Sequence, residues 1–137
     1  MKKFIFLALI CLAVSSCNND DDMDPNTCNV QGFTFSYGNE SGFIPESDLT
    51  TELDPNGSPA LMEIYGFVGP DTVVFTAPYN SDGGDIIING LPSETISASL
   101  DVSGTNVGDL IRYSLTGTYQ GQPLTGEFCV VVDLVRP

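Results

Sequence analysis

The chain has 137 residues, with 4 Lys and Arg against 18 Asp and Glu, and a formal net charge of −14. A surface this acidic offers no electrostatic footprint for nucleic acid and is repelled by anionic lipid headgroups. The lack of His removes the usual residue for general-base and transition-metal chemistry, and the lack of Trp limits aromatic platforms to Tyr and Phe.

The first 24 residues read as an address. Lys2 and Lys3 form a positive n-region, Phe4 to Val14 an apolar run, and Val14-Ser15-Ser16-Cys17 a small-residue cleavage site ending in cysteine. The apolar run is about eleven residues, far short of the ~20 that cross a bilayer as a helix, so it is a signal segment and not a membrane span. Asp20, Asp21, Asp22 and Asp24 follow directly.

The four residues ending at Cys17 resemble the lipobox of bacterial lipoproteins. That resemblance implies cleavage before Cys17, a diacylglyceryl group on its thiol and an acyl chain, such as palmitate, on its amine. One acyl chain holds a protein only marginally, whereas two or more anchor it stably. Asn18-Asn19-Asp20-Asp21-Asp22 is similar to the acidic tether of surface-exposed lipoproteins of Bacteroidota, in which such residues direct export to the outside of the outer membrane. The expected organisation is therefore a signal peptide over residues 1–16, a flexible acidic tether over 17–27 interrupted by Pro25, and one domain over 28–137. Both lysines lie in the signal, which leaves Arg112 and Arg136 as the cations of the mature chain.

Cys11 departs with the signal and Cys17 is taken by lipid, so Cys28 and Cys129 remain. In an exported chain they read as one disulfide closing a loop of about 100 residues, worth up to ~4.7 kcal/mol on the chain-entropy model; two separate buried thiols are the alternative.

From Val30 to Tyr37, Phe33, Phe35 and Tyr37 alternate with Thr34 and Ser36, the period of a half-buried strand. Residues 38–59 carry Gly, Pro and acids without periodicity. They read as a long connection in which Ser47 caps a short helical turn over Asp48 to Leu53. A connection that long in a compact domain makes it the first candidate for an interaction loop.

Ala60 to Val68, the turn Gly69-Pro70-Asp71 and Thr72 to Ala77 form a hairpin. Pro78 to Gly84 is another turn, and Asp85 to Asn89 a short apolar strand. In Thr95 to Ser103, Ile96, Ala98, Leu100 and Val102 share one face. In Asp109 to Tyr119, Ile111, Tyr113, Leu115 and Tyr119 do so. Gln120 to Pro123 turns the chain, and Leu124 to Val135 returns with Leu124, Phe128, Val130, Val132 and Leu134 inward.

Seven strands and no convincing helix predict an all-β domain: an antiparallel β-sandwich, immunoglobulin-like in architecture, with a small β-barrel as the alternative. Cys28 and Cys129 both fall on the outer register, which places the first and last strands side by side with the disulfide on their outer face.

Asn80-Ser81-Asp82-Gly83-Gly84-Asp85 has the oxygens of a calcium loop but Leu91 where the twelfth-position Glu of an EF-hand would stand, so it reads as a hairpin turn. Asp20 to Asp24 lack preorganised geometry and read as a solvated tether. No metal, cofactor or catalytic residue is expected. With 18 acids some carboxylates must lie close, yet none is selected for glycoside hydrolysis, and the hydroxyl nucleophiles lack a base. Among Tyr65, Tyr79, Tyr113 and Tyr119, the last two share the inner register and belong to the core, while Tyr79 is the expected exposed aromatic.

The resulting expectation is a lipid-anchored lipoprotein of the outer membrane, facing the cell exterior, that acts as a non-enzymatic binding or accessory module for an extracellular protein or glycan. A structural envelope lipoprotein without a ligand is the alternative, and a carboxylate-dependent glycan hydrolase the third reading.

Overall fold

A computed structural model describes residues 27, 28, 30–68 and 71–137. Among these residues eleven strands follow one another: β1 Gly32–Tyr37, β2 Glu40–Pro45, β3 Thr50–Asp54, β4 Leu61–Val68, β5 Asp71–Pro78, β6 Asp85–Ile88, β7 Leu91–Pro92, β8 Thr95–Val102, β9 Leu110–Tyr119, β10 Gln122–Val131 and β11 Leu134–Val135. They form two packed sheets, one ordered β2-β1-β10-β9-β8 and the other β11-β3-β4-β5-β6-β7. The domain is a β-sandwich, and neither sheet closes into a barrel. An immunoglobulin domain divides its strands as ABED and CFG. Here β3 to β7 pair in succession as a meander, so that likeness stops at two stacked sheets.

Alternation does most of the folding. In β9, Ile111, Tyr113, Leu115 and Tyr119 are buried, and in β10 Leu124, Phe128 and Val130 are buried on the same inner face. Two-residue turns with positive φ join the strands. Gln120 and Gly121 (φ 50° and 71°) link β9 to β10, and Asn89 and Gly90 (φ 51° and 79°) link β6 to β7. Positive φ at both central positions matches the twist of the flanking strands.

An aromatic stack holds the layers together. Phe33 of β1 lies on Phe128 of β10 with ring centroids 4.0 Å apart, and Phe75 of β5 reaches across from the other sheet to both Phe128 (5.1 Å) and the edge of Tyr113 (5.2 Å). All four rings are fully buried. Buried Tyr119 keeps its hydroxyl satisfied by donating to the Ile88 carbonyl at 2.7 Å. Tyr113 and Tyr119 are thus core residues with a polar tip, as their register predicts.

Residues 38–59 are not one connection. Gly38 and Asn39 form a hairpin turn, β2 lies along the open edge of β1, Glu46–Asp48 makes a 3-10 turn that carries the chain to the second sheet, and β3 pairs with β4. The helical turn lies over Glu46–Asp48 and not Asp48 to Leu53, and Pro45 rather than Ser47 occupies the cap position, with no side-chain capping bond.

The last strand also breaks in two. After Val131 the chain crosses between the sheets, and Asp133 fastens the crossing. Its carboxylate accepts the Thr51 amide (2.7 Å) while its own amide donates to the Thr51 carbonyl (2.9 Å), so buried Thr51 is fully paired on its backbone. β11 then runs parallel to β3.

β1 and β10 are hydrogen-bonded neighbours in antiparallel register, Phe33 opposite Phe128 and Gly32 opposite Cys129. Cys28 is bonded to Cys129 with Cα atoms 6.1 Å apart, across 101 residues of sequence. Cys129 alternates with inward Phe128 and Val130 and so points outward. It is nonetheless buried, with its partner Cys28 lying against it.

Candidate functional site

A concavity among the described residues runs along the outer face of the first sheet, over β1 and its neighbours β2 and β10. It consists of two clefts of about 680 and 500 Å³ that share Ser36 and Thr125. The first opens at the Gly38-Asn39 hairpin and adds Asn39, Glu40 and Gln122; the second continues past Ser41 to Thr34 and Glu127. Both clefts are largely open to solvent, so together they form a groove along the sheet face and not an enclosed pocket.

Register explains the lining. Side chains alternate between faces along each strand, so inward Phe35 puts Thr34 and Ser36 outside. Ser41 and Thr125 stand opposite Ser36 on the two flanking strands. Ser36 Oγ and Thr125 Oγ1 share a hydrogen bond of 2.8 Å across the floor. On the inner side the outer end of the Phe35 ring reaches Gly42, where any Cβ would sit 2.2 Å from a ring carbon. Gly42 therefore leaves, on the inner side, the space that the Phe35 ring fills beneath β2.

The outer face of the second sheet is different in chemistry. Glu52 of β3 accepts a hydrogen bond from the Tyr65 hydroxyl (2.8 Å) on one oxygen and from Arg136 Nε (3.1 Å) on the other, with a second Arg136 nitrogen closing the fork. The Tyr65 bond first, then the guanidinium, hold the Glu52 carboxyl below its ordinary value; the same bond pushes the Tyr65 phenol up, and Glu52 raises Arg136. Glu63, Asp54 and Leu61 complete a small cleft of about 210 Å³. Beside it Phe67 stands 66% exposed, its ring 5.8 Å from that of Tyr65.

The Asn80–Asp85 turn has structural work. The Asp82 carboxylate accepts the Leu100 amide (2.7 Å), the Gly83 amide donates to the Ala98 carbonyl (2.8 Å), and the Tyr113 hydroxyl donates to the Ser81 carbonyl (2.8 Å). The turn thus occupies the free edge of β8 as a neighbouring strand would, and Tyr113 pins it to the core. Burial, reinforced by the nearby Asp82 charge, pushes the Tyr113 phenol up to about 12. Asp82 spends its carboxylate on a strand edge. Among the described residues no group of three or more acid or cysteine side chains is arranged to hold a metal ion.

Cys17 and the acids at Asp20 to Asp24 lie outside the described residues. Tyr79, expected as the exposed aromatic, is partly buried against the core, and the exposed rings are Phe43 and Phe67. Periodicity could have found Phe67, which is in phase with Glu63 and Tyr65 and so faces outward from β4. Phe43 left no such signal, because it sits beside inward Ile44 in a strand without alternation. No family model, curated protein or solved structure matches this chain.

Proposed function

We propose that this protein is a lipid-anchored lipoprotein of the cell envelope, displayed on the outer membrane towards the exterior, where its β-sandwich serves as a non-enzymatic binding or accessory module. The observation that carries this reading is the run Val14-Ser15-Ser16-Cys17 with four aspartates close behind it, placed ahead of a domain in which Cys28 is bonded to β10, the middle strand of the first sheet. The acylated Cys17 holds to the membrane a domain whose own charge would repel it. The partner is an extracellular protein or glycan, and the open faces of the two sheets are the surfaces available to it.

A hydrolase would need a carboxylic acid kept protonated near neutral pH. Among the described residues the two carboxylates displaced from their ordinary values, Glu52 and Asp109, both move down, the second because it accepts the amides of Thr105 and Asn106.

Two measurements test the reading. Cys17→Ser should release the protein from the membrane fraction and leave its signal segment attached; retention at unchanged mass would overturn the anchor. Protease added to intact cells should cleave the wild-type protein, and cleavage only after lysis would remove the display to the exterior.

A further inference from the structure

Carboxylates are not spread evenly over this protein. Outward positions of the first sheet form rows that cross all five strands in register. One row is Ser41, Ser36, Thr125, Thr116 and Ser97, five hydroxyls in succession. The next is Phe43, Thr34, Glu127, Ser114 and Ser99. On this face Asp101 is already engaged, by Arg112 at 3.7 Å and by the Ser114 hydroxyl. Glu127 is left as the one carboxylate in these two rows, and Glu40 is added at the hairpin end of the groove, in a chain of net charge −14.

The chemistry of the lining selects a ligand class. Hydroxyls and carboxamides donate and accept hydrogen bonds alike, and Ser36, Ser41, Thr125, Asn39 and Gln122 converge on the groove. An anionic ligand would find no cation there. A cationic one would meet Glu40 and Glu127, which stand opposite Tyr37 and Thr34, three positions or about 10 Å apart along β1, so the two carboxylates do not converge on one cation. A second copy of this chain would need an apolar centre to its interface. Phe43, 46% exposed, is the one large exposed apolar side chain in the strands of the first sheet among the described residues.

A neutral, polyhydroxylated ligand meets both features, since its hydroxyls match the floor and its C–H faces can lie on the Phe43 ring at one end. From Thr34 to Gly38 the groove follows about 14 Å of strand at ~3.4 Å per residue, the length of a short oligosaccharide segment.

We propose that the groove over β1, between the Gly38-Asn39 hairpin and Phe43, binds a segment of a neutral polysaccharide. This deepens the binding-module reading and rests on it. The floor hydrogen bond between Ser36 and Thr125 holds both hydroxyls in place while leaving each with unused capacity, so the site is formed before the ligand arrives.

The test is affinity electrophoresis of the lipidated full-length protein in neutral detergent micelles. Native gels would contain dextran, galactomannan or arabinoxylan, with pectate and hyaluronate as polyanionic counterparts. At least one neutral polymer should retard the protein, and retardation should weaken at least ~tenfold in Phe43→Ala and in the Ser36→Leu/Thr125→Leu pair. Phe67→Ala, on the other sheet, should migrate as wild type. Urea midpoints close to wild type show that the variants are folded.

Loss of retardation in Phe67→Ala with the groove variants unaffected would overturn the site. Retardation by the polyanions alone would overturn the ligand class. No retardation by any polymer would overturn the groove proposal while leaving the anchored binding module standing, because that reading falls only with the Cys17→Ser and protease-shaving results.

Discussion

Removing the Cys28–Cys129 bond should cost this domain a large part of its stability. The bond joins residues 101 apart, and on the chain-entropy model a loop of about 100 residues contributes ~4.7 kcal/mol by restricting the unfolded chain. A domain of roughly 110 residues at ~0.05–0.15 kcal/mol per residue has only ~5–16 kcal/mol in total. The folded state itself should change little. β1 and β10 remain paired from Gly32 to Tyr37 through their backbones, and the sulfurs lie outside the Phe33–Phe128 stack.

The assay is urea unfolding of the Cys28→Ser/Cys129→Ser double variant, which leaves no stray thiol at the site. The midpoint should fall and the denaturant slope should rise, since an uncrosslinked unfolded chain exposes more surface. A loss under ~1 kcal/mol with an unchanged slope would refute the reasoning, because the bond would then restrict nothing in the unfolded chain that other contacts do not.

Phe128→Ala should destabilise by ~3–5 kcal/mol, since it opens a cavity between rings of both sheets; calorimetry that finds under ~1 kcal/mol would show the stack is not the core. Asp82→Ala should cost only ~1 kcal/mol, because water can reach the freed Leu100 amide, but it uncovers the β8 edge. Concentration-dependent association in sedimentation runs is the expected outcome, and a strictly monomeric variant would argue against the edge-cap role. The Glu52 carboxyl titrates below its ordinary 4.5 in the folded state, so its contribution is present above that pH and is lost as pH falls through the folded value. Glu52→Gln should therefore lower the urea midpoint at neutral pH and approach wild type in acid. A difference that stays constant with pH would refute that linkage.

The parts of the fold legible in the sequence are those where each strand obeys a period of two: β1, the β4–β5 hairpin, β6, β8, β9 and most of β10. The pairing of β1 with β10 was legible too, from the register of the two cysteines. β2 was hidden because its inward positions are Glu40, Gly42 and Ile44. Gly42 is inside only because the Phe35 ring fills its place, a tertiary fact that no local pattern records.

β3 was hidden because buried Thr51 interrupts its apolar phase, and the partner that pairs the Thr51 backbone, Asp133, lies 82 residues away. The continuous apolar phase through Val135 likewise concealed the crossing at Val132-Asp133. The groove could not be read at all, since it is assembled from β1, β2 and β10 and appears only once the long connection proves to contain a strand.

The link between Cys28 and Cys129 also decides how the domain bears mechanical load. In the anchored protein proposed above, any drag would enter the domain at Cys28, and the sulfurs would hand that force directly to β10. β10 is laddered to β1 on one side and to β9 on the other, so the pull is shared by two sets of backbone bonds and β1 is not peeled away first.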